Sequence, residues 1–361
     1  MKSDLKIAIL LILGLLFATG CGSTTSTAKP TVPATTSQAD LSGMKNYLLT
    51  KNTDLMQHAL ALQNAANTYY ELAQAANFDY ATVWADEPEA VATALFEAKA
   101  AWMLASPGYE QIEGIVAGVP TLAEYDLILD AGGAGTGEDA APYDLTLADG
   151  SVLERPGNLF GVLESAQWGT NEAWISTAVQ PDLDGNGTVD FGEVLPDANL
   201  LKGAADALVS YVDQLQASAE AWQPTESDAF TALVVMIPTM NEYFESWKNS
   251  RFVAGDASEQ ADFVVISRLA DIQDILSSLQ VVHTGISPLI VDIDPAQDEQ
   301  IGAGLASLKA YVADIYAQEQ AGKQFSAEEA DLLGGEAQTR AENLAGQIVQ
   351  LAAQLQIPVE G

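Results

Sequence analysis

Helical periodicity runs through most of the chain beyond residue 40 and limits the fold more than any other feature. Over residues 40–78, alanine is frequent and apolar residues recur at helical spacing: Leu48, Leu49, Leu55, Leu60, Leu62, Ala65 and Leu72. The same pattern predicts helices over residues 87–103, 109–116, 198–222, 227–252, 258–283, 295–321 and 326–355. Long helices joined by short turns favour an all-α fold, an antiparallel helical bundle. We therefore expect one helical domain over residues 40–361.

Three local signals refine this pattern. Residues 131–157 are rich in Gly and Asp and predict a long irregular segment. Pro238 falls inside the helix predicted for 227–252, and its missing N–H predicts a kink there. Ser326, followed three residues later by Glu329, predicts a capping box at the start of the last helix.

The segment 182–193, DLDGNGTVDFGE, has the spacing of a twelve-residue calcium loop of the EF-hand type. The predicted oxygen ligands are Asp182, Asp184, Asn186, the Thr188 carbonyl, Asp190 and Glu193. Gly187 occupies the sixth position, where the backbone turns sharply. A solvated acidic turn is the alternative interpretation. No second copy follows, and Pro196 lies three residues beyond Glu193, so we expect a structural calcium site inserted into the helical domain.

The first 39 residues predict secretion and a membrane anchor. Residues 1–20 combine Lys2 and Lys6 with an apolar run and small residues before Cys21, which is typical of a lipoprotein signal peptide. We expect lipidation of Cys21; ordinary secretory cleavage that leaves a free thiol is the alternative. Residues 21–39 are rich in Ser, Thr and Pro and predict a low-complexity tether. The expected location is the cell envelope, lipid-anchored at the outer membrane or cell surface, facing the periplasm or the exterior.

Net charge and histidine content limit the partners and the kinds of site that this chain can have. The chain carries 14 Lys and Arg against 50 Asp and Glu, a formal net charge of −36, which excludes nucleic acid as a partner. His58 and His283 are the two histidines, and both lie in apolar-periodic helices, where a packed or surface role is expected. The Gly-rich run 132–137 lacks the Lys-Ser/Thr of a phosphate loop and predicts a flexible loop.

Paired carboxylates are candidates for a second metal site. Glu110 and Glu113 are three residues apart and therefore share a helix face. Asp126 and Asp130 are four apart and share a face if their segment is helical, and Glu164 stands on the helix before the calcium loop. Carboxylates on facing helices of a bundle hold iron and other oxygen-loving metals. The alternative interpretation of each pair is a solvated acidic face, which is the more common arrangement.

Three stretches resemble a known superfamily. Residues 98–113, ending in Tyr109-Glu110-Gln-Ile-Glu113, resemble the helix of imelysin-like and EfeO-type iron-uptake proteins that carries a Tyr-Glu-x-Ile-Glu core. Residues 285–295 resemble a late segment of the same superfamily. Residues 238–253 are most similar to the algal low-iron-inducible iron-assimilation proteins and their bacterial relatives. The resemblance covers most of residues 45–355.

The resemblance implies a non-enzymatic, lipid-anchored, extracytoplasmic iron-binding protein, with an iron permease or another uptake component as partner. It also shows a departure. The Gly-x-His-x-x-Glu motif of the imelysin group aligns with residues 159–164, where Gly161 replaces the histidine while Glu164 and Trp168 are kept. The missing histidine argues against a metallopeptidase and leaves Glu110, Glu113 and Glu164 as the implied iron ligands. The alternative function is a calcium-stabilised surface interaction lipoprotein without a transition metal.

Overall fold

The computed structural model describes residues 38–360, and helices make up most of that range. The first half contains α1 (Ser42–Ala75), α2 (Tyr80–Asp86), α3 (Pro88–Val116), α4 (Ala123–Asp126) with a π-helical turn Leu127–Ala131, and α5 (Leu159–Trp168). The second half contains α6 (Ala198–Ala221), α7 (Glu226–Met236), α8 (Met240–Asn249), α9 (Arg251–Ala254), α10 (Arg268–Ile293), α11 (Pro295–Gln320) and α12 (Ala327–Leu355). The all-α prediction is confirmed.

Two short antiparallel ribbons interrupt the helices. Strand β1 (Leu145–Thr146) pairs with β2 (Val152–Leu153), with Leu145 opposite Leu153. Strand β3 (Ile175–Ser176) pairs with β4 (Leu195–Pro196), with Ile175 opposite Pro196. The segment predicted to be irregular, 131–157, is loop apart from the β1–β2 ribbon and Ala131, which ends the π-helical turn.

The long helices share one hydrophobic core. Helix α1 packs along α3 and α6, α10 packs against α3 and α11, and α12 closes the bundle against α7 and α8. Tyr69 of α1, Ile112 of α3 and Trp247 of α8 are fully buried in this core. Helix α10 is long and apolar enough to cross a membrane, but its apolar residues pack against α3 and α11 and so belong to the core.

Two predicted helix boundaries are wrong. Residues 87–103 and 109–116 belong to the single helix α3, which continues through Pro107. Ala105 and Tyr109 on either side of the proline are fully buried, so tertiary packing outweighs the hydrogen bond that Pro107 removes.

The helix predicted over 258–283 begins and ends ten residues later, as α10. Residues 258–266 contain no α-helix, and the side chain of Ser267 caps α10 by accepting from the Leu269 N–H. Pro288 lies inside α10 and does not end it. Two other predictions are confirmed: a 3-10 turn at Ile237–Thr239 interrupts the helix around Pro238, and Ser326 and Glu329 form a capping box.

Candidate metal centre

Helix α3 carries the two glutamates at the centre of the site. Glu110 and Glu113 lie one turn apart and have only 1% and 2% of their surface exposed. Oε2 of each carboxylate is buried without a hydrogen-bond partner among the described residues. Buried charged groups without partners are rare in folded proteins, because the lost hydration is not replaced. These two oxygens are therefore available to a ligand.

The segment after α3 adds two aspartates. Asp126 ends α4 and Asp130 lies in the π-helical turn, and both are buried. The hydroxyl of Tyr109 donates to Oδ1 of Asp126 at 2.7 Å. Glu110, Glu113 and Asp130 each offer an oxygen, and these three oxygens all lie within 4.8 Å of one another. A single ion can therefore contact all three carboxylates.

Helix α10 contributes a buried arginine and a buried aspartate from its first turn. Nη1 of Arg268 lies 2.7 Å from Oδ2 of Asp271 and 3.3 Å from Oε1 of Glu110. The guanidinium also lies over two rings, 3.9 Å from the centroid of Phe263 and 4.5 Å from that of Tyr243. We refer to the five buried carboxylates, Glu110, Glu113, Asp126, Asp130 and Asp271, as the acidic cluster.

A pocket of about 240 Å³ leads to the acidic cluster. Its lining includes Glu113, Asp126 and Asp130 together with Tyr243 and Arg268. The hydroxyl of Tyr243 donates to Oε1 of Glu113 and fixes the orientation of that carboxylate. The exposed Glu242 also lines the pocket, so an acidic side chain stands where the pocket meets solvent.

Burial makes the ionised acidic cluster costly. It raises the pKa of Asp126 to about 8 and the pKa of Asp271 to about 6, with Arg268 opposing the rise in both cases. Burial and the neighbouring carboxylates raise the pKa of Glu110 well above its ordinary value, and burial raises that of Asp130 likewise. One guanidinium faces five carboxylates. The arrangement therefore needs protons or an added cation to balance its charge.

The donor atoms fit a hard cation. The groups that converge are carboxylates, whose oxygens ferric iron and other oxygen-loving ions prefer. Three of them converge within 4.8 Å, and two of these carboxylates have an oxygen with no other partner. The site meets the geometric and electrostatic conditions for holding such an ion.

Glu164 is held elsewhere. Its Oε2 accepts the Phe263 N–H at 2.5 Å, and its Oε1 accepts the Val264 and Val265 N–H groups at 2.9 and 3.0 Å. Both oxygens are thus engaged by backbone, and Glu164 is not among the carboxylates that converge within 4.8 Å. Burial raises its pKa to about 8 despite these bonds. The three bonds support Phe263, whose φ of 53° is in the left-handed region, and so position the segment that leads to Arg268.

Comparison with known protein families shows which family the chain belongs to. A family model described as Imelysin matches residues 45–355, a range that contains the whole acidic cluster. The chain belongs to the imelysin family. The family model carries a peptidase label, which does not decide whether this member is an enzyme. No curated protein matches the chain.

The departure from the imelysin motif has a clear structural setting. Gly161 lies in the first turn of α5, where the side chain of Asn158 caps the helix by accepting the Gly161 N–H. A Cβ at this glycine would lie 3.0 Å from Oδ1 of Asn158 and 3.0 Å from Oδ2 of Asp262. A side chain at position 161 would therefore require Asn158 and Asp262 to shift by a few tenths of an ångström.

In this imelysin family member the loop predicted to bind calcium lies between two strands. Segment 182–193 connects β3 to β4, so it lacks the flanking helices of an EF-hand. Oε1 and Oε2 of Glu193 accept from the Asp184 and Asp190 N–H groups, and Oδ2 of Asp182 accepts from the Gly187 N–H. Asp182, Asp184 and Glu193 bring carboxylate oxygens within 4.8 Å of one another.

The other predicted ligands of this loop lie among the same groups. Asn186 donates through Nδ2 to Asp184 and Asp190, and the Thr188 hydroxyl donates to Oδ1 of Asn186. Gly187 has a φ of 93°, so the sharp turn expected at the sixth position is present. The loop is joined to α3 by Lys99, whose Nζ donates to the Gly192 carbonyl at 2.5 Å.

The structure brings Glu110 and Glu113 together as the sequence predicted and adds residues that sequence reasoning missed. Asp126 and Asp130 were recognised as a pair but were not joined to Glu110 and Glu113. Arg268, Asp271 and Tyr243 were not recognised. The sequence did offer a signal for Arg268 and Asp271: they are three residues apart, and a correct start for α10 would have placed them on one helix face.

The remaining predicted residues lie apart from the acidic cluster or outside the described range. His58 is half-buried on α1. His283 is buried, with Nε2 3.1 Å from Oδ1 of Asp298. The signal peptide, most of the tether and Cys21 lie outside residues 38–360.

Proposed function

We propose that this chain is a lipid-anchored, extracytoplasmic iron-binding protein of an iron-assimilation system. The observation that carries the proposal is the convergence of Glu110, Glu113 and Asp130 with two unpartnered, buried Oε2 atoms. Membership of the imelysin family supports it. Residues 1–20 and Cys21 supply the proposed export signal and anchor. An iron permease or another uptake component would receive the metal.

The proposed role is capture rather than catalysis. Glu110, Glu113 and Asp130 bind the ion directly, while Tyr243 and Tyr109 orient Glu113 and Asp126 by donating hydrogen bonds. The excess of carboxylates over guanidinium gives the pocket a field that attracts a multivalent cation. Glu164, implied as a ligand by the resemblance, instead positions residues 263–265.

We also propose that segment 182–193 binds calcium as a structural ion. Asp182, Asp184 and Glu193 already converge, and the sharp turn at Gly187 is formed. A calcium ion would replace the hydrogen bonds that Glu193 now accepts from the loop backbone and would tie the loop to β4. The hydrogen bond from Lys99 to the Gly192 carbonyl would connect the calcium-bound loop to α3.

A second function has one observation in its favour. A cleft of about 540 Å³ lies beside the loop, and its lining includes the exposed apolar side chains Val189 and Phe191. A cleft with exposed apolar side chains beside a calcium loop suits a calcium-stabilised interaction lipoprotein that binds no transition metal. On that alternative, Arg268 and protons would balance the acidic cluster without a metal ion.

Metal analysis of the purified protein separates the two functions. The protein is saturated with calcium, offered ferrous iron without oxygen or ferric iron as its nitrilotriacetate complex, desalted, and assayed by plasma mass spectrometry. Bound iron that survives excess magnesium and calcium supports iron capture. Calcium alone in the desalted protein would overturn iron capture and leave the interaction lipoprotein.

A further inference from the structure

The placement of Arg268 gives the acidic cluster a cation of its own. The guanidinium is buried, lines the pocket and lies 3.3 Å from Glu110, one of the three carboxylates whose oxygens converge. Its contact with Asp271, at 2.7 Å, is shorter than its contact with Glu110, at 3.3 Å. Arg268 is therefore shared unequally, with Asp271 as its closer partner.

Several contacts hold this guanidinium in place. The rings of Phe263 and Tyr243 lie within 4.5 Å of it, and Ser267 caps the helix that carries it. Glu164 fixes the backbone at Phe263 and so fixes the ring against which Arg268 packs. Arginine stays protonated at every physiological pH, so this positive charge does not leave the site by titration.

Arg268 also has unused hydrogen-bonding capacity. Its Nε is buried and has no hydrogen-bond partner among the described residues. A guanidinium placed only to stabilise the fold would be expected to use its donors fully, since an unmade buried hydrogen bond is costly. The incomplete pairing indicates a position set by the charge of the pocket.

We propose that Arg268 is a tethered cation that competes with the incoming metal ion for Glu110 and thereby sets the affinity of the site. The proposal rests on the metal-binding function proposed above and specifies its regulation. An ion that enters binds the unpartnered Oε2 of Glu110, and the guanidinium beside Oε1 opposes it by holding the same carboxylate and by its positive charge. Weakly charged ions do not outcompete the guanidinium, so the site favours multivalent ions.

Removal of the guanidinium tests the competition directly. Arg268→Met keeps an unbranched side chain between the two rings but removes the charge. We expect it to bind cations at least about tenfold more tightly, because a unit charge a few ångströms from the ion opposes binding strongly in a buried site. Arg268→Lys keeps the charge and is expected to bind more weakly than Arg268→Met.

A double variant separates competition from net charge. Arg268→Met combined with Asp271→Asn removes one positive and one negative charge, so the net charge of the acidic cluster is unchanged. If Arg268 competes for Glu110, the double variant still binds more tightly than the wild type. If only net charge matters, its affinity equals that of the wild type. Arg268→Met alone leaves Asp271 as a buried charge without its partner and for that reason could fail to fold. The double variant removes both charges of the ion pair, so it provides the test in that case.

The experiment is isothermal titration of the full protein and these variants with manganese(II) chloride, and with ferrous sulfate without oxygen. Melting curves in the absence of metal verify folding. Tighter binding by Arg268→Met and by the double variant is the expected result. Equal or weaker binding by folded variants overturns the tethered cation.

The outcomes also separate this proposal from the proposed function. If the wild type binds metal and the variants show no gain, the tethered cation fails and the metal-binding function stands. If the wild type binds neither ion and Arg268→Met or the double variant does, the function fails and the tethered cation stands. If none of the proteins binds metal, both proposals are overturned.

Discussion

The hydroxyl of Tyr109 donates a 2.7 Å hydrogen bond to Oδ1 of Asp126, and this bond joins α3 to the turn that completes the acidic cluster. Both groups are buried, and Tyr109 is fully enclosed by the core. Burial and the surrounding carboxylates raise the pKa of this phenol well above its ordinary value, so it remains a donor. The phenol therefore keeps its donor proton over the whole physiological pH range.

Loss of this donor should destabilise the protein. Tyr109→Phe leaves a buried carboxylate oxygen without its partner, and we expect the free energy of unfolding to fall by about 1–3 kcal/mol. Urea unfolding followed by circular dichroism measures the change. Tyr316→Phe is the control, because the half-buried Tyr316 hydroxyl has no hydrogen-bond partner within residues 38–360. Equal stability of the two variants would contradict this role of Tyr109.

The metal-free protein should lose stability as the pH rises from about 4 to about 8. The folded-state pKa of Asp126, about 8, lies above the unfolded value of 3.8, because burial disfavours the charged form. Between these values the folded state holds a proton that the unfolded state has lost, so a rise in pH favours unfolding. Asp271, with a folded pKa of about 6, contributes in the same direction at the lower end of the range.

Urea unfolding at pH 5, 6, 7 and 8, with a chelator present, measures this dependence. Asp126→Asn should flatten the profile, since the amide does not titrate. Asp86→Asn, a change at an exposed aspartate, controls for the general repulsion of an acidic surface. A profile for Asp126→Asn that is as steep as that of Asp86→Asn would contradict the assignment.

The sequence predicted the all-α fold and the two central glutamates for a simple reason. Helical periodicity is a local property, and residues three apart on a long helix share a face wherever that helix packs. Glu110 and Glu113 therefore lie together, as their spacing indicated. Family resemblance added the correct superfamily from short motifs, and the family match confirmed it.

The rest of the acidic cluster depends on contacts that spacing does not encode. Arg268 and Glu110 are separated by 158 positions along the chain, and a single sequence gives no indication that they meet. Asp130 reaches the centre from a π-helical turn, which has no clear sequence signature. The segment before Arg268 is held by Glu164 rather than by helical bonds, so apolar periodicity misplaced the start of α10.

Glu164 should be a positioning residue for folding rather than a metal ligand. Glu164→Gln turns an N–H donor towards one of the backbone N–H groups that the carboxylate accepts, and we expect a loss of about 1–3 kcal/mol in unfolding free energy. Metal stoichiometry should stay at the wild-type value. Glu97→Gln, at an exposed site on α3, is the matched control. Lost metal with unchanged stability would show that Glu164 is a ligand.

Calcium should stabilise segment 182–193 through Asp182. Asp182→Asn removes a charge from the first loop position and keeps one side-chain oxygen, which can accept the Asn186 or the Gly187 N–H but not both. We expect the melting temperature to fall further below that of wild type in millimolar calcium than in a chelator. Asp213→Asn, at an exposed position on α6, is the control. A variant as stable as wild type in calcium would show that calcium bound to this loop does not stabilise the protein.

The central claim is that Glu110 and Glu113 capture iron, and titration of iron into their double glutamine variant tests it most directly. Wild type and Glu97→Gln, both saturated with calcium, should retain one iron per chain against excess magnesium. Glu110→Gln combined with Glu113→Gln should retain none, because it replaces the two carboxylates whose Oε2 atoms have no other partner. Circular dichroism verifies that the variant is folded. Iron retained by the folded double variant at the wild-type level would contradict the account.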